Sequence, residues 1–138
     1  MGRKNRRKME RRRLPRMVQI IPPKRMELWF AHLRKNTSTS VQEGDRPVLI
    51  VSNDVSNRYS NVVTVIPLTS QMKKLEQPTH HVIRGLLAED SLILAEQITT
   101  VSKKCLERRI GVCKDPETIK HIENAIKIHL GLEDITHE

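Results

Sequence analysis

Aromatic side chains are almost missing from this chain: one Trp, one Phe and one Tyr among 138 residues. A core must therefore be assembled mainly from Val, Ile and Leu. Glycine is scarce, five in all, and no Gly-rich run of the kind that cradles a phosphate is present. Gly-x-Ser-x-Gly is absent as well. The two cysteines, Cys105 and Cys113, lack Cys-x-x-Cys spacing, which sets aside zinc ribbons and dithiol redox sites and leaves buried or idle thiols. None of the six histidines forms His-x-x-x-His or joins a carboxylate at metal-ligand spacing. His80 and His81 are adjacent on an expected strand, so they point to opposite faces and cannot easily share a metal. No cofactor or metal is expected. No stretch approaches the roughly 20 apolar residues that span a bilayer, and the basic start is not followed by the apolar segment of a secretory signal. A soluble, cytoplasmic chain without a membrane partner is the expectation.

Positive charge is plentiful but unevenly placed. The formal net charge is +9. Residues 1–17 (MGRKNRRKMERRRLPRM) hold nine Lys/Arg and one Glu, whereas residues 18–138 hold 16 Lys/Arg against 15 Asp/Glu. The domain itself is nearly neutral. The like-charge block repels itself, and disorder is expected of it in isolation. It reads equally as an arm for nucleic acid phosphates or an acidic protein segment, and as a solvated tail. Met9, Met17 and Met26 also leave open a start further downstream.

One domain fits the length, and residues 18–138 are assigned to it. Pro22-Pro23 gives an extended lead-in. Strands are expected at Leu28–Leu33, Pro47–Ser52, Val62–Leu68, Thr79–Arg84, Ser91–Ile98 and Arg108–Cys113, separated by polar loops at 34–45, 53–61 and 71–78. Short, closely spaced strands predict a small, strongly curved β-barrel. Asp115-Pro116-Glu117 supplies an N-cap, a proline at the first helical position and an acid in the first turn. Ile119, Ile122, Ala125, Ile126 and Leu130 then mark one apolar face before Gly131. The fold class is mainly β with a C-terminal packing helix. His121 and His129, on that helix's flanks, read as solvated.

The chemistry converges on two residues. Arg46-Pro47 opens one apolar run, and the next run delivers Thr69-Ser70-Gln71. Neighbouring strands would set Arg46 beside Thr69. Arginine effectively never deprotonates, so the pair suits a substrate that brings its own nucleophile. The 2′-hydroxyl of RNA is one, attacking the adjacent phosphate in line. The protein then has to hold geometry and stabilise charge on the phosphoryl oxygens; a guanidinium fork and a hydroxyl do both. A buried or cap-like Thr69, and an Arg46 paired with Asp45, would look the same in sequence.

The same residues resemble a known family. Leu28-Trp29-Phe30-Ala31, then Gly44-x-Arg46-Pro47-Val48-Leu49-Ile50-Val51-Ser52-Asn53-Asp54, looks like the opening of the MazF/PemK-type toxins. Val65-Ile66-Pro67-Leu68-Thr69-Ser70, Pro78-Thr79-His80, Ser91-x-Ile93-Leu94-x-Glu96-Gln97-Ile98 and Ile126-x-x-x-Leu130-Gly131-Leu132 continue it in order across residues 24–132. The resemblance implies an SH3-like barrel with a C-terminal helix, paired as a homodimer. It implies a sequence-specific, metal-independent endoribonuclease for single-stranded mRNA, held inactive by a cognate antitoxin. Arg46 and Thr69 would be its catalytic pair, leaving 2′,3′-cyclic phosphate and 5′-hydroxyl ends. The loops would frame an RNA groove, with Lys73 and Lys74 on phosphates and Ser52, Asn53, Gln71 and Gln97 on bases or on the catalytic pair. Tyr59 could stack a base or pack on its own loop.

Two departures from the pattern stand out. The family usually enters its first strand with Gly-Asp or Gly-Glu, and here the pair is Met26-Glu27. Where an acid or amide commonly follows the Trp-x-Ala element, this chain has His32, which titrates near neutrality and could alter loop position or RNA choice, or be a solvated strand end. Two other functions carry less weight. A non-catalytic barrel toxin acting on a protein such as gyrase would lack the Arg/Thr pair and end in Trp-Gly-x, whereas this chain ends in Thr136-His137-Glu138. A nucleic-acid-binding module driven by the tail is the other.

Overall fold

Strand β3 (Val62–Thr69) is the hub of the molecule. The computed structural model describes residues 21–34 and 42–134; the basic segment 1–17 and residues 35–41 of the first polar loop lie outside them. On one side β3 pairs with β2 (Gly44–Ile50), in the register Val48↔Pro67, Leu49↔Ile66, Ile50↔Val65. On its other side it changes partner halfway. Val62–Val65 pair with β6 (Thr99–Ser102), and Leu68 and Thr69 with β5 (Ser91–Leu94). β1 (Glu27–Leu33) lies between β2 and β7 (Leu106–Val112), and β4 (His80–Ile83) flanks β5. All pairings are antiparallel, in the order β4-β5-β3-β2-β1-β7 with β6 on β3. Among the described residues the two end strands, β4 and β7, do not pair with each other, so the expected barrel is a curled open sheet.

Period-two alternation divides the core. Leu49, Val51, Ile66 and Leu68 face one side with Leu28, Ile83 and Ile93. Val48, Ile50, Val63 and Val65 face the other with Trp29 and Ala31. That is why β2 and β3 read as continuous apolar runs: both faces are covered. The C-terminal helix (Pro116–His129) closes the first face with Ile122 and Ala125. Asp115 caps it, accepting from the Thr118 N–H at 3.0 Å and the Thr118 hydroxyl at 2.7 Å. Leu130, expected on the apolar face, is exposed, because the helix ends one residue before it.

Three local expectations are corrected. Residues 53–61 are not a plain loop: Asp54–Tyr59 form α1, and the C-terminal helix is α2. The Asn53 side chain caps α1 by accepting from the Ser56 N–H at 2.8 Å. Asn, Asp and Ser serve caps and turns alike, so composition does not separate the two. The strand expected over Ser91–Ile98 ends at Leu94. Ala95–Gln97 then make a 3₁₀ turn, pinned by Ala95 N–H to Thr79 O at 2.9 Å. Finally, β6 is a strand with no local signal in the sequence. Its Thr99-Thr100-Val101-Ser102 carries no apolar alternation, and long-range pairing with β3 creates the strand.

Candidate active site

Two prolines make the opening in which Arg46 and Thr69 meet. Val51 N–H donates to Thr64 O at 2.9 Å; stepping by two along the register puts Pro47 N opposite Leu68 O. Proline has no N–H to give. The Arg46 side chain fills the place, Nη1 donating to Leu68 O at 3.2 Å, while its Nε donates to Glu43 O at 2.9 Å. Pro67 is oriented the other way, toward the point where β6 has ended and β5 has not begun, so no ladder bond is lost there. The β2–β3 ladder stops at Val48↔Pro67, and continuing its register by two residues sets Arg46 across from Thr69.

Thr69 is nearly buried at the end of β3. Its Oγ1 accepts the Gln71 N–H at 3.2 Å, which orients the hydroxyl and leaves its proton to donate outward. Of the five N–H donors on a guanidinium, Arg46 has committed two to the carbonyls named above. Three remain for a ligand. Both residues line a cleft of about 640 Å³ together with Asp45, Pro47, Ser70 and Gln71. The opposite wall is Leu86, Leu87, Ala88 and Glu89 of the β4–β5 loop, with Ile110 from β7. Among the described residues Arg46 has no carboxylate partner; the cleft holds an unpaired cation beside an oriented hydroxyl.

The sequence of residues 24–130 matches the family model for the PemK-like, MazF-like toxins of type II toxin–antitoxin systems. The chain belongs to that family. Among solved structures it is similar to an endoribonuclease from a mycobacterial species, at 26% identity and a TM-score of 0.65, covering 80% of this chain and 93% of that one. A mycobacterial endoribonuclease in complex with its cognate antitoxin is similar at 26% identity and a TM-score of 0.66, with 82% and 99% covered. MazF from Deinococcus radiodurans shares the fold at 17% identity and a TM-score of 0.70, covering 80% and 98%.

Of the other residues singled out in this MazF-like chain, only Gln71 lines the cleft with Arg46 and Thr69. Lys73 and Lys74 lie on the adjoining exposed loop. Their carbonyls are held by the buried His80 ring, Nδ1 lying 3.3 Å from Lys73 O and 3.0 Å from Lys74 O. Gln97 lines a second groove, of about 670 Å³, with His32, Arg34, Gln42 and Cys105; its Oε1 accepts the Gln42 N–H at 3.0 Å. Ser52, Asn53 and Tyr59 sit past the far end of β2, with Ser52 roughly 20 Å along the chain from Arg46 at about 3.3 Å per residue. Ser52 Oγ donates to Asn57 Oδ1 and accepts the Thr64 N–H at 3.0 Å. Asn53 gives its Oδ1 to the α1 cap. Tyr59 is 78% exposed, with the Arg58 guanidinium 5.8 Å from its ring centroid.

Two features escaped the sequence. One is the β4–β5 loop as a cleft wall. The other is the set Thr79, His80 and Glu96, with Thr79 Oγ1 to Glu96 Oε1 at 2.8 Å and His80 Nε2 to Glu96 Oε2 at 2.9 Å. Burial pushes the Glu96 carboxyl up, but bonds from His80 and Thr79 outweigh it and hold the pKa below the ordinary value. Adjacency of Thr79 and His80 was visible; Glu96 reaches them only through β4–β5 pairing.

The two departures from the family pattern are now concrete. Met26 adopts φ +72°, the left-handed region where glycine is usual, and is buried in the core. Glu27 keeps the acidic role: Oε1 accepts from Lys24 N at 2.8 Å and Trp29 Nε1 at 2.9 Å, and Oε2 from Arg109 Nε at 2.9 Å. His32 is not merely a solvated strand end. Its Nδ1 is 2.7 Å from Asp45 Oδ1 and its Nε2 is 2.8 Å from Glu107 Oε1. Elsewhere, His81 stacks on the exposed His121 of α2 with ring centroids 4.8 Å apart.

Proposed function

We propose that the protein is the toxin of a toxin–antitoxin pair, a sequence-specific endoribonuclease that cuts single-stranded mRNA without a metal ion. The observation that carries this reading is the convergence of three spare Arg46 donors and the Thr69 hydroxyl on one open cleft. The RNA 2′-oxygen attacks its neighbouring phosphorus while the bond to the 5′-oxygen breaks. The 2′-proton leaves, the 5′-oxygen gains one, and 2′,3′-cyclic phosphate and 5′-hydroxyl ends result. Arg46 binds the phosphoryl oxygens as charge grows on them, and Thr69 donates one further hydrogen bond. Gln71 is placed to touch the same nucleotide, and Lys73 and Lys74 to neutralise flanking phosphates. Gln97 addresses the RNA from the second groove, and exposed Tyr59 is available for stacking at the far end. Ser52 has its hydroxyl engaged inside the protein and Asn53 has its side-chain oxygen on the α1 cap, and the reading does not need them.

The protein acts in the cytoplasm as a homodimer and is silenced by a cognate antitoxin. A similar mycobacterial endoribonuclease solved in complex with its cognate antitoxin supports the antitoxin partner. The test is incubation with an unstructured RNA pool in EDTA, with mapping of product ends. Cyclic phosphate ends are expected, abolished by 2′-deoxy substitution at the cut site and reduced about 10²- to 10³-fold in Arg46→Ala, the usual cost of removing one transition-state donor. Cleavage that persists in Arg46→Ala, or that requires added metal, overturns the assignment.

A further inference from the structure

Asp45 and Arg46 are sequence neighbours at the mouth of β2, and a carboxylate resting on the guanidinium would occupy the donors a phosphate needs. Neighbours of opposite charge do pair in this protein: Arg108 Nη1 lies 2.7 Å from Glu107 Oε2. Asp45 also lines the Arg46–Thr69 cleft. Yet among the described residues Arg46 is bonded to main-chain carbonyls alone, and the Asp45 carboxylate is engaged elsewhere. His32 holds it. The two residues are register partners across the β1–β2 ladder, with Nδ1 and Oδ1 2.7 Å apart. The ring cannot swing with Asp45, because Nε2 is fixed on Glu107 of β7 at 2.8 Å.

We propose that His32 is a positioning residue that keeps the Asp45 carboxylate off Arg46 and so leaves the guanidinium open to the scissile phosphate. This rests on Arg46 as the phosphate-binding cation of the proposed function, and it assigns a role to a third strand. Among the described residues the groups facing the imidazole are Asp45 from β2, Glu107 from β7 with Arg108 on its other oxygen, and the Phe30 ring on its own strand at 6.0 Å. The Asp45 hydrogen bond, with help from Glu107, raises the His32 pKa above its ordinary value. Below that pKa the doubly protonated ring donates to both carboxylates. Above it one proton serves two acceptors, and Asp45 is released part of the time.

The experiment compares kcat/KM for RNA cleavage by the full chain, His32→Ala, His32→Gln, Asp45→Asn and the double variant His32→Ala/Asp45→Asn. The pH runs from about 5.5 to about 9, across the imidazole range, and a thermal melt accompanies each variant. His32→Ala is expected to lose about fivefold, the worth of one exposed ion pair now competing with substrate, chiefly as a higher KM. His32→Gln, still able to donate to Asp45, loses less. In the Asp45→Asn background the His32→Ala change has no further effect, and the decline of activity through the His32 titration disappears. Unchanged kcat/KM in His32→Ala overturns the proposal, as does the same loss in the Asp45→Asn background, which would mark a folding defect. A wild type that needs Arg46 but is indifferent to His32 sinks only this proposal; full activity in Arg46→Ala sinks the function beneath it.

Discussion

At the scale of single residues, the site turns on what proline cannot do. Pro47 leaves Leu68 O without its ladder donor, and Arg46 supplies it, so the guanidinium is anchored by the gap in the sheet. Lysine cannot reproduce this. It carries a compact charge and no planar fork, so Arg46→Lys should keep the fold yet lose most of the cleavage rate, read as an unchanged melting temperature with a kcat reduced about 10²-fold or more. Met26 provides a second residue-scale prediction. At φ +72° any side chain is strained by about 1–2 kcal/mol relative to glycine, but this one also fills core space. Met26→Ala removes the packing and keeps the strain; Met26→Gly removes both. Both variants should be destabilised in urea titrations, with glycine about 1 kcal/mol more stable than alanine. The sequence showed Met where glycine is usual, but not that the backbone had stayed in the glycine conformation.

At the scale of elements, the 3₁₀ turn at Ala95–Gln97 organises two loops. Glu96 ties down the loop before β4 through Thr79 and His80, and Gln97 holds the end of the first polar loop through Gln42. The folded-state pKa of Glu96 is depressed. Its contribution to stability is therefore complete above the ordinary carboxylate value near 4.5 and is lost as pH falls through the lower folded value. Glu96→Gln should be less stable than wild type at neutral pH, and the difference should shrink as denaturation is followed to pH values below about 4. A constant difference across that range would mean that ionisation of Glu96 contributes nothing. This turn was not legible in sequence because Ser91–Ile98 reads as one apolar strand. Pairing with β4 ends at Leu94, and only then do Glu96 and Gln97 turn out to the loops.

At the scale of the whole molecule, charge and chemistry are separated. The cleft draws on a single unpaired arginine, while most of the excess positive charge belongs to residues 1–17. If those residues grip RNA, each phosphate contact adds to the salt dependence of binding by about 0.7 per contact for single strands. Removal of residues 1–16 is expected to make the plot of log affinity against log salt shallower, with the cut-site sequence unchanged. An identical slope in the truncated protein would mark the tail as a bystander. The family match starts at residue 24, outside this segment.

The sequence by itself determined the elements with strong local signals. β2 and β3 are continuous β-branched runs, and α2 has a cap, a proline and a 3.6-residue apolar stripe. It also determined that Arg46 and Thr69 lie at the two strand ends that meet, because antiparallel pairing of consecutive strands follows from their spacing. Tertiary structure alone decided the rest. β6 exists because β3 offers it an edge, and the sheet stays open because, among the described residues, β4 and β7 do not pair with each other. The cleft's far wall comes from a loop some forty residues from Arg46 along the chain. Whether Arg46 was free or paired with Asp45 could not be read from two adjacent letters; it depends on His32, brought against Asp45 by the β1–β2 register. Local patterns encode which elements form, whereas the partner of a given charge is fixed only when distant strands lie side by side.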